Sequence, residues 1–402
     1  IGEKVRRTRM PSALAPLAML NSPGILSEPR RFLEGGGGSA QRMLELLRFD
    51  PHTDVPGYDQ QSAEAFVGDW SPIFGRMMGA MSHAGFFAEP AKVSQAALML
   101  GLWLYGVSNK EDSSFHLLGN DAGSAVIDPL CRAFVHAGGE LMLNTALEAV
   151  ERDEDGISGV RVRRGGRITR WRCQNVILAL DPKGMKQLIE NGLSDVMSPY
   201  AVPEGVGSTV VRIWYTGSPD SKVPWNGLFA EAPMHNYFWL HRWMSPFDEW
   251  NQRTGGGVLE VHLYGEAHAE AKTLDDEVLL QRIDHTVGWA WPEVGLRVAG
   301  HVLRNPDTHP LFAPGVLSNL PPVDPGLNGL ALCGDWIGCS EPVLYLERAC
   351  MTGVLAARSA SKRLGIDGRR LPSVVPVAPP SSSVEGLRSI LRRVPKGLLA
   401  PR

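Results

Sequence analysis

The 402-residue sequence predicts a mixed α/β (α+β) protein of more than one domain. Three observations carry that prediction. Helix-like and strand-like patterns alternate between residues 119 and 180. A short apolar strand around Leu330-Ala331-Leu332 runs into Gly334-Asp335 and then into a long helix. Residues 205–320 gather most of the aromatic side chains around an alternating strand, Val258–Tyr264. At 44% hydrophobic and 21% charged the chain is ordinary globular material. Its 40 Lys and Arg against 43 Asp and Glu leave no cation excess with which to neutralise nucleic-acid phosphates. Five cysteines (Cys131, Cys173, Cys333, Cys339 and Cys350) with no Cys-x-x-Cys spacing exclude a zinc ribbon or a disulfide frame and fit reduced thiols, so no metal is expected.

The elements divide into six stretches. Residues 1–56 are loop-rich, with a basic start and the run Gly35-Gly36-Gly37-Gly38-Ser39. The residues before that run are charged and broken by Pro29, so it reads as a surface loop rather than a phosphate-binding turn. Residues 57–118 read as helical. Met77, Met78 and Met81 share a face, and Ala96–Tyr105 is apolar nearly all round, as core helices are; a pliable channel for a long apolar ligand is the sharper reading. The apolar run Ala96–Val107 falls short of the ~20 residues that span a bilayer. A cytoplasmic location follows as the expectation.

Residues 119–204 open with a helix, Ala125–His136, stopped by Gly138-Gly139. Strands are then expected at Glu140–Asn144, Gly159–Val162 and Asn175–Leu180, with a turn at Asp153–Gly156. In 205–320, the segment from Trp225 to Trp250 holds eight aromatics, either a core face or the wall of an apolar site. Residues 321–366 contain the Gly-Asp strand and its helix, expected over Val343–Ala360. Residues 367–402 are a Pro/Ser linker followed by Leu387, Ile390, Leu391 and Val394 at helical spacing among arginines. That tail reads as an interfacial helix drawn to anionic lipid, or one docked on protein.

A strand that delivers Gly-Asp lets the backbone approach a ligand closely while the carboxylate takes hydroxyl hydrogen bonds. The following helix start favours negative charge. Gly334, Asp335 and Trp336 with the helix entry at Pro342, Val343 and Leu344 therefore suit a flavin.

At these residues the sequence resembles the flavin amine oxidase/phytoene desaturase superfamily. Gly334-Asp335-Trp336 followed by Leu346-Glu347-Arg348-Ala349 and Thr352-Gly353 is similar to its C-terminal FAD motif, in the form of the carotenoid desaturase and isorenieratene-synthase-like branch. Gly138-Gly139-Glu140 with Asn144–Leu147 is similar to the strand whose backbone, here at Leu147, holds the adenine. Asn175–Leu180 before Asp181-Pro182 is similar to the strand beside the cofactor, with Ala179 at its end. Gly255–His262 and Arg304–Phe312 resemble the same branch. The resemblance covers about residues 55–365. It implies a two-domain FAD-binding fold and flavin-mediated desaturation, isomerisation or ring modification of a carotenoid or related isoprenoid. The family's opening strand–Gly-x-Gly-x-x-Gly–helix unit has no counterpart in this sequence. The expectation is that this N-terminal βαβ unit lies outside the sequence. Otherwise the chain is a flavin-free structural or pigment-binding subunit of a membrane complex.

A polyene offers no ionisable group, so its enzyme needs an apolar wall and one or two acid–base groups. Trp225, Phe238, Trp239 and Trp243 are the candidate wall; His241, Glu260, His262 and Glu341 are the candidate proton handlers. Glu260 and His262 share a strand face, for which a solvated polar face is the plainer reading than a metal pair. An amine oxidase or a hydroxysqualene-type dehydroxylase is the remaining enzyme reading.

Overall fold

The structure is a computed structural model that describes residues 38–108, 117–229 and 233–393. The basic start, the first three glycines of the glycine run and the tail beyond Arg393 lie outside the described residues.

The chain begins with a helical layer: α1 (Gly38–Arg48), α2 (Val55–Asp59), α3 (Ala63–Gly68), α4 (Pro72–Phe86) and α5 (Gln95–Leu102). Over residues 57–108 the expected core reading is what is seen, while residues 109–116 lie outside the described residues and Leu117 and Leu118 are exposed. All of α5 except Gly101 is buried, and Met78 is buried with Met77 and Met81 packed beside it. Polar cross-links fix the layer. Ser94 Oγ caps α5 by accepting from Ala97 N and donates at 2.6 Å to Asp59 Oδ1, while Asp59 Oδ2 accepts from Ser318 N at 2.8 Å. A buried carboxylate satisfied on both oxygens thus ties α2 and α5 to the segment after residue 311.

Helix α6 (Asp128–His136) follows, and then a three-stranded antiparallel sheet of β1 (Thr145–Asp153), β2 (Gly156–Arg164) and β3 (Arg167–Arg172). The expected strand at 140–144 is a correction. Those residues are turn and coil, bracketed by Gly138 at φ 91° and Asn144 at φ 56°, and the left-handed backbone at both ends breaks an extended run. The turn at 153–156 is where it was expected. Gly156 has φ 125°, and a Cβ there would sit 2.4 Å from Asn328 O.

β4 (Val176–Leu178) leads into α7 (Pro182–Leu188) and α8 (Ser194–Met197). β5 (Glu204–Tyr215), β6 (Asn226–Leu228), β7 (Asn236–Trp239), β8 (Gly257–Leu263) and β9 (Arg297–Leu311) then form a five-stranded sheet in the order β6-β7-β8-β5-β9. Helices α9 (Ser245–Thr254), α10 (Gly265–Ala271) and α11 (Asp276–Ala290) belong to this half. Alternation along β5, β7 and β8 sends Val211, Ile213, Trp239, Leu259 and Val261 into a core with Ile283 and Val287 of α11, each wholly buried.

β10 (Leu330–Leu332) returns to pair in parallel with β4, Leu330 opposite Val176 and Leu332 opposite Leu178. α12 (Tyr345–Arg363) packs on this pair. The tail helix α13 (Ser382–Arg393) docks on the helical layer: Val384 and Leu391 join its core, and Arg388 Nη2 donates to Phe49 O at 2.9 Å. Leu387 and Ile390 face outward. Among the described residues no helix is long and apolar enough to cross a membrane.

Candidate functional site

The Gly-Asp corner is assembled from the ends of β10 and β4 and the start of α12. Cys333 N donates to Leu178 O at 3.0 Å, so the parallel ladder runs to the last residue before the corner. Gly334 then turns with φ 148°, in the region that favours glycine, although a Cβ would meet nothing closer than 3.7 Å. Its N–H donates to Thr352 Oγ1 at 3.0 Å, and the Thr352 hydroxyl donates to Arg348 O at 2.8 Å, which pins the corner to α12. Trp336 Nε1 donates to Leu180 O at 2.9 Å and joins the two strand ends. Trp336 is itself core, 2% exposed. Asp335 is half-buried; burial raises its carboxyl above the usual range, against the pull of backbone N–H groups and of Arg348.

α12 starts after Leu344 with Tyr345 at φ 53°, a left-handed conformation strained for a bulky residue. One turn on, Arg348 is 4% exposed. Its Nε donates to Val343 O at 2.8 Å, its guanidinium stacks 5.4 Å from the Phe312 ring, and its Nη1 is buried without a partner among the described residues. Burial lowers its pKa. Arg348 lines a cavity of about 240 Å³ with Leu100, Leu320, Cys339, Glu341 and Pro342. Glu341 is bound to backbone, its Oε2 accepting from Val377 N at 3.0 Å, and burial pushes the Cys339 thiol up.

The other candidates sit on the five-stranded sheet. Glu260 and His262 are together on β8: Glu260 Oε1 meets His262 Nε2 at 3.0 Å, and Oε2 accepts from Arg212 at 2.5 Å. Burial alone would raise Glu260; the hydrogen bonds from His262 and Arg212 outweigh it and hold the carboxylate low. His262 Nδ1 lies 2.9 Å from the Tyr264 hydroxyl, extending the chain of titratable groups. The same face carries Phe238, 5.3 Å from the His262 ring, with Trp243 6.2 Å from Phe238 and Trp225 4.8 Å from Trp243. Trp239 points the other way, into the core against Trp291 at 5.2 Å, because neighbours on a strand face opposite sides. His241 is buried as well and is used structurally: its Nδ1 accepts from Val258 N at 3.1 Å. Among the described residues no cluster of potential metal ligands occurs.

Leu147 lies on β1 opposite Val162, next to a bulge that leaves Glu148 as the extra residue before Ala149. Ala179 follows the last residue of β4.

Sequence reading missed a column of flat rings that joins the sheet to the start of α12. His83 stacks on His235 at 4.4 Å, His235 meets Tyr264 at 5.6 Å, Tyr264 stacks on Phe87 at 4.3 Å, Phe87 on His309 at 4.3 Å, and His309 on Tyr345 at 6.0 Å. Burial lowers both His235 and His309 to about 4. Nothing local in the sequence signals this column, since its members are up to 260 residues apart.

A parallel strand ending in Gly-Asp lies beside a helix start, and a second sheet carries apolar rings on its outer face. The chain belongs to the flavin containing amine oxidoreductase family, which matches residues 3–360. It is 28% identical over 296 residues to the carotenoid phi-ring synthase of Streptomyces griseus, covering 72% of this chain and 56% of that protein. A carotenoid phi-ring synthase of Chlorobaculum tepidum is 25% identical over 212 residues, 50% of this chain and 32% of that protein. The chain thus spans about half the length of the first relative and a third of the second. Among solved structures, cyclohexylamine oxidase from Brevibacterium oxydans superposes with a TM-score of 0.55 over 82% of this chain and 74% of that one, at 15% identity. Putrescine oxidase bound to putrescine superposes with a TM-score of 0.56 over the same shares, at 14% identity. These structures share the fold. Family membership brings a flavin cofactor, and the corner fits one: Gly334 presents its backbone without a side chain, Asp335 holds a half-buried carboxylate, and Arg348 keeps a buried nitrogen without a partner among the described residues.

Proposed function

We propose that this chain works as an FAD-dependent oxidoreductase on a carotenoid or a related isoprenoid, by desaturation, isomerisation or ring modification. The observation that carries the reading is the Gly334–Asp335 corner, locked to α12 by Thr352. The name shared by the two relatives, carotenoid phi-ring synthase, favours ring modification. FAD, when bound, supplies the oxidant for removing hydrogen from carbon.

The chain's own residues then divide the work. Gly334 would admit a close approach of the cofactor, Asp335 would accept from hydroxyls of its ribityl chain, and Pro342, Val343 and Leu344 carry the backbone to the helix start. Leu147, beside its bulge, and Ala179 line the remainder of the cofactor's path, with Trp336 bracing the corner from behind. Trp225, Phe238 and Trp243 form an apolar wall along which a polyene lies. His262 holds or moves a proton at Nε2, with Glu260 fixed as its anionic partner by Arg212. Among the four proton-handling candidates this pair has the geometry. Peripheral contact with the cytoplasmic face of a membrane, where such a substrate dissolves, would use the outward Leu387 and Ile390 of α13 and the basic tail over 386–402.

The reading is tested by the 300–600 nm absorbance of the purified full-length protein before and after denaturation, and by Asp335→Ala. Flavin bands released as free FAD, and at least tenfold weaker FAD retention in the variant, are the expected results. Unchanged retention in Asp335→Ala counts decisively against the site. A carotenoid spectrum without flavin would support a pigment-binding subunit. That second reading is favoured by one observation, the apolar face of α6, whose Leu130 and Phe134 are exposed.

A further inference from the structure

Arg348 is a buried charge with no hydrogen-bonded or ion-paired acid among the described residues. Its Nε is satisfied by Val343 O and its face by Phe312, but neither is an anion, and Nη1 has no partner among the described residues. Arg388 makes the contrast. It too is buried and lies over a ring, that of Trp103 at 5.8 Å, yet its Nε is 3.3 Å from Glu385. A guanidinium taken out of water with no counter-charge is costly, and the cost persists where a ligand supplies the anion. Arg348 stands on the first turn of a 19-residue helix, so the positive end of α12 and the guanidinium favour negative charge at the same place. Arg348 borders the cavity of about 240 Å³ together with the Gly338–Pro342 loop that leads to α12.

We propose that Arg348 is the positive group that receives the pyrimidine edge of the flavin, at N1 and the C2 carbonyl, and favours its negatively charged reduced form. The assignment rests on the FAD site proposed above. It gives a physical reason for arginine at this position: the apo protein carries an unpaired charge so that the cofactor becomes easier to reduce. Glu341 Oε2 accepts from Val377 N, and no hydrogen bond or ion pair joins Glu341 to the guanidinium among the described residues. Asp335 and Arg348 attract each other through space, again without a hydrogen bond or ion pair between them among the described residues.

The test uses sulfite on the full-length holoprotein, which needs no substrate. Its sulfur lone pair forms a bond to flavin N5, and the negative charge passes to N1 and the C2 carbonyl, so the sulfite Kd reads the positive potential there. Arg348→Gln is expected to raise that Kd at least tenfold, and Arg348→Lys to keep it within about threefold. Because an unpaired buried charge is removed, apo Arg348→Gln should melt at or above the parent's temperature. Flavin loss from Arg348→Gln with that melting behaviour, restored in Arg348→Lys, also supports the contact. An unchanged sulfite Kd in Arg348→Gln overturns the assignment, as does an apo form that melts well below the parent. Full FAD retention in Asp335→Ala would instead locate the failure in the flavin site itself.

Discussion

The five-stranded sheet and the two-stranded sheet of this protein are built on different terms. β5 and β9 are 12 and 15 residues long, and one face of their sheet is sealed by α11 with wholly buried Val211, Ile213, Val261, Ile283 and Val287. β4 and β10 are three residues each, and Ile177 on β4 is 41% exposed. α6 has no buried residue, with Leu130 61% and Phe134 52% exposed. The five-stranded sheet is held by a core that seals one whole face. The two-stranded sheet has a core of its own, with Leu178, Leu330, Leu332 and Trp336 buried, and its corner adds directional bonds from Gly334, Thr352 and Trp336.

The largest effect that would break this contrast comes from Trp239. Trp239→Ala empties a site in the sealed core and should cost about 3–5 kcal/mol, read from the denaturant midpoint. Survival near the parent's stability would mean the sheet does not carry the fold. Next comes acid. His235 and His309 are neutral and buried, with pKa values lowered to about 4 against an unfolded value of about 6.5. Above 6.5 neither state binds the proton and stability is flat. Between 6.5 and 4 the unfolded chain takes protons that the folded one refuses, so stability falls as pH falls, by at most about 1.4 kcal/mol per pH unit for each histidine. Below 4 the loss is complete. Thermal melts from pH 7.5 to 4.5 should show this slope, and His309→Phe should flatten it.

Trp336→Phe sharpens the comparison from the other half. It removes the bond to Leu180 O and part of a buried side chain, and should cost about 2–3 kcal/mol of global stability. FAD retention should fall by a larger factor than that cost suggests. An equal fall in the two would show that the corner is as robust as the core. Leu387→Ser on α13 should change stability by less than about 0.5 kcal/mol while weakening binding to anionic vesicles. Unaltered vesicle binding would remove the tail helix from any lipid contact.

Much of this was legible in the chain. The Gly334-Asp335 strand and the helix after it, the all-round apolar α5 and the alternation of β8 show in local pattern because each meets its partners through a regular period. Other features turn on backbone states and long-range meetings. Glu140–Asn144 has a strand's composition, yet Gly138 and Asn144 turn it, leaving Leu141 and Leu143 exposed. Phe238 and Trp239 look alike in sequence, and only the register against Glu260 and Leu259 decides that the first faces outward and the second inward. Tyr345 takes a left-handed start to α12 that no residue type announces.

The column of rings from His83 to Tyr345 has a mechanical consequence. Flat faces in contact resist being pulled apart, because separation exposes apolar area, but they slide over one another at little cost. With His235 and Tyr264 on the sheet side, Phe87 and His83 on α4 and its end, and Tyr345 at the head of α12, the column fixes a spacing while leaving a lateral freedom. The ring wall on the five-stranded sheet is thus held at a set distance from the start of α12 by contacts that oppose separation more than sliding, as a spacer does.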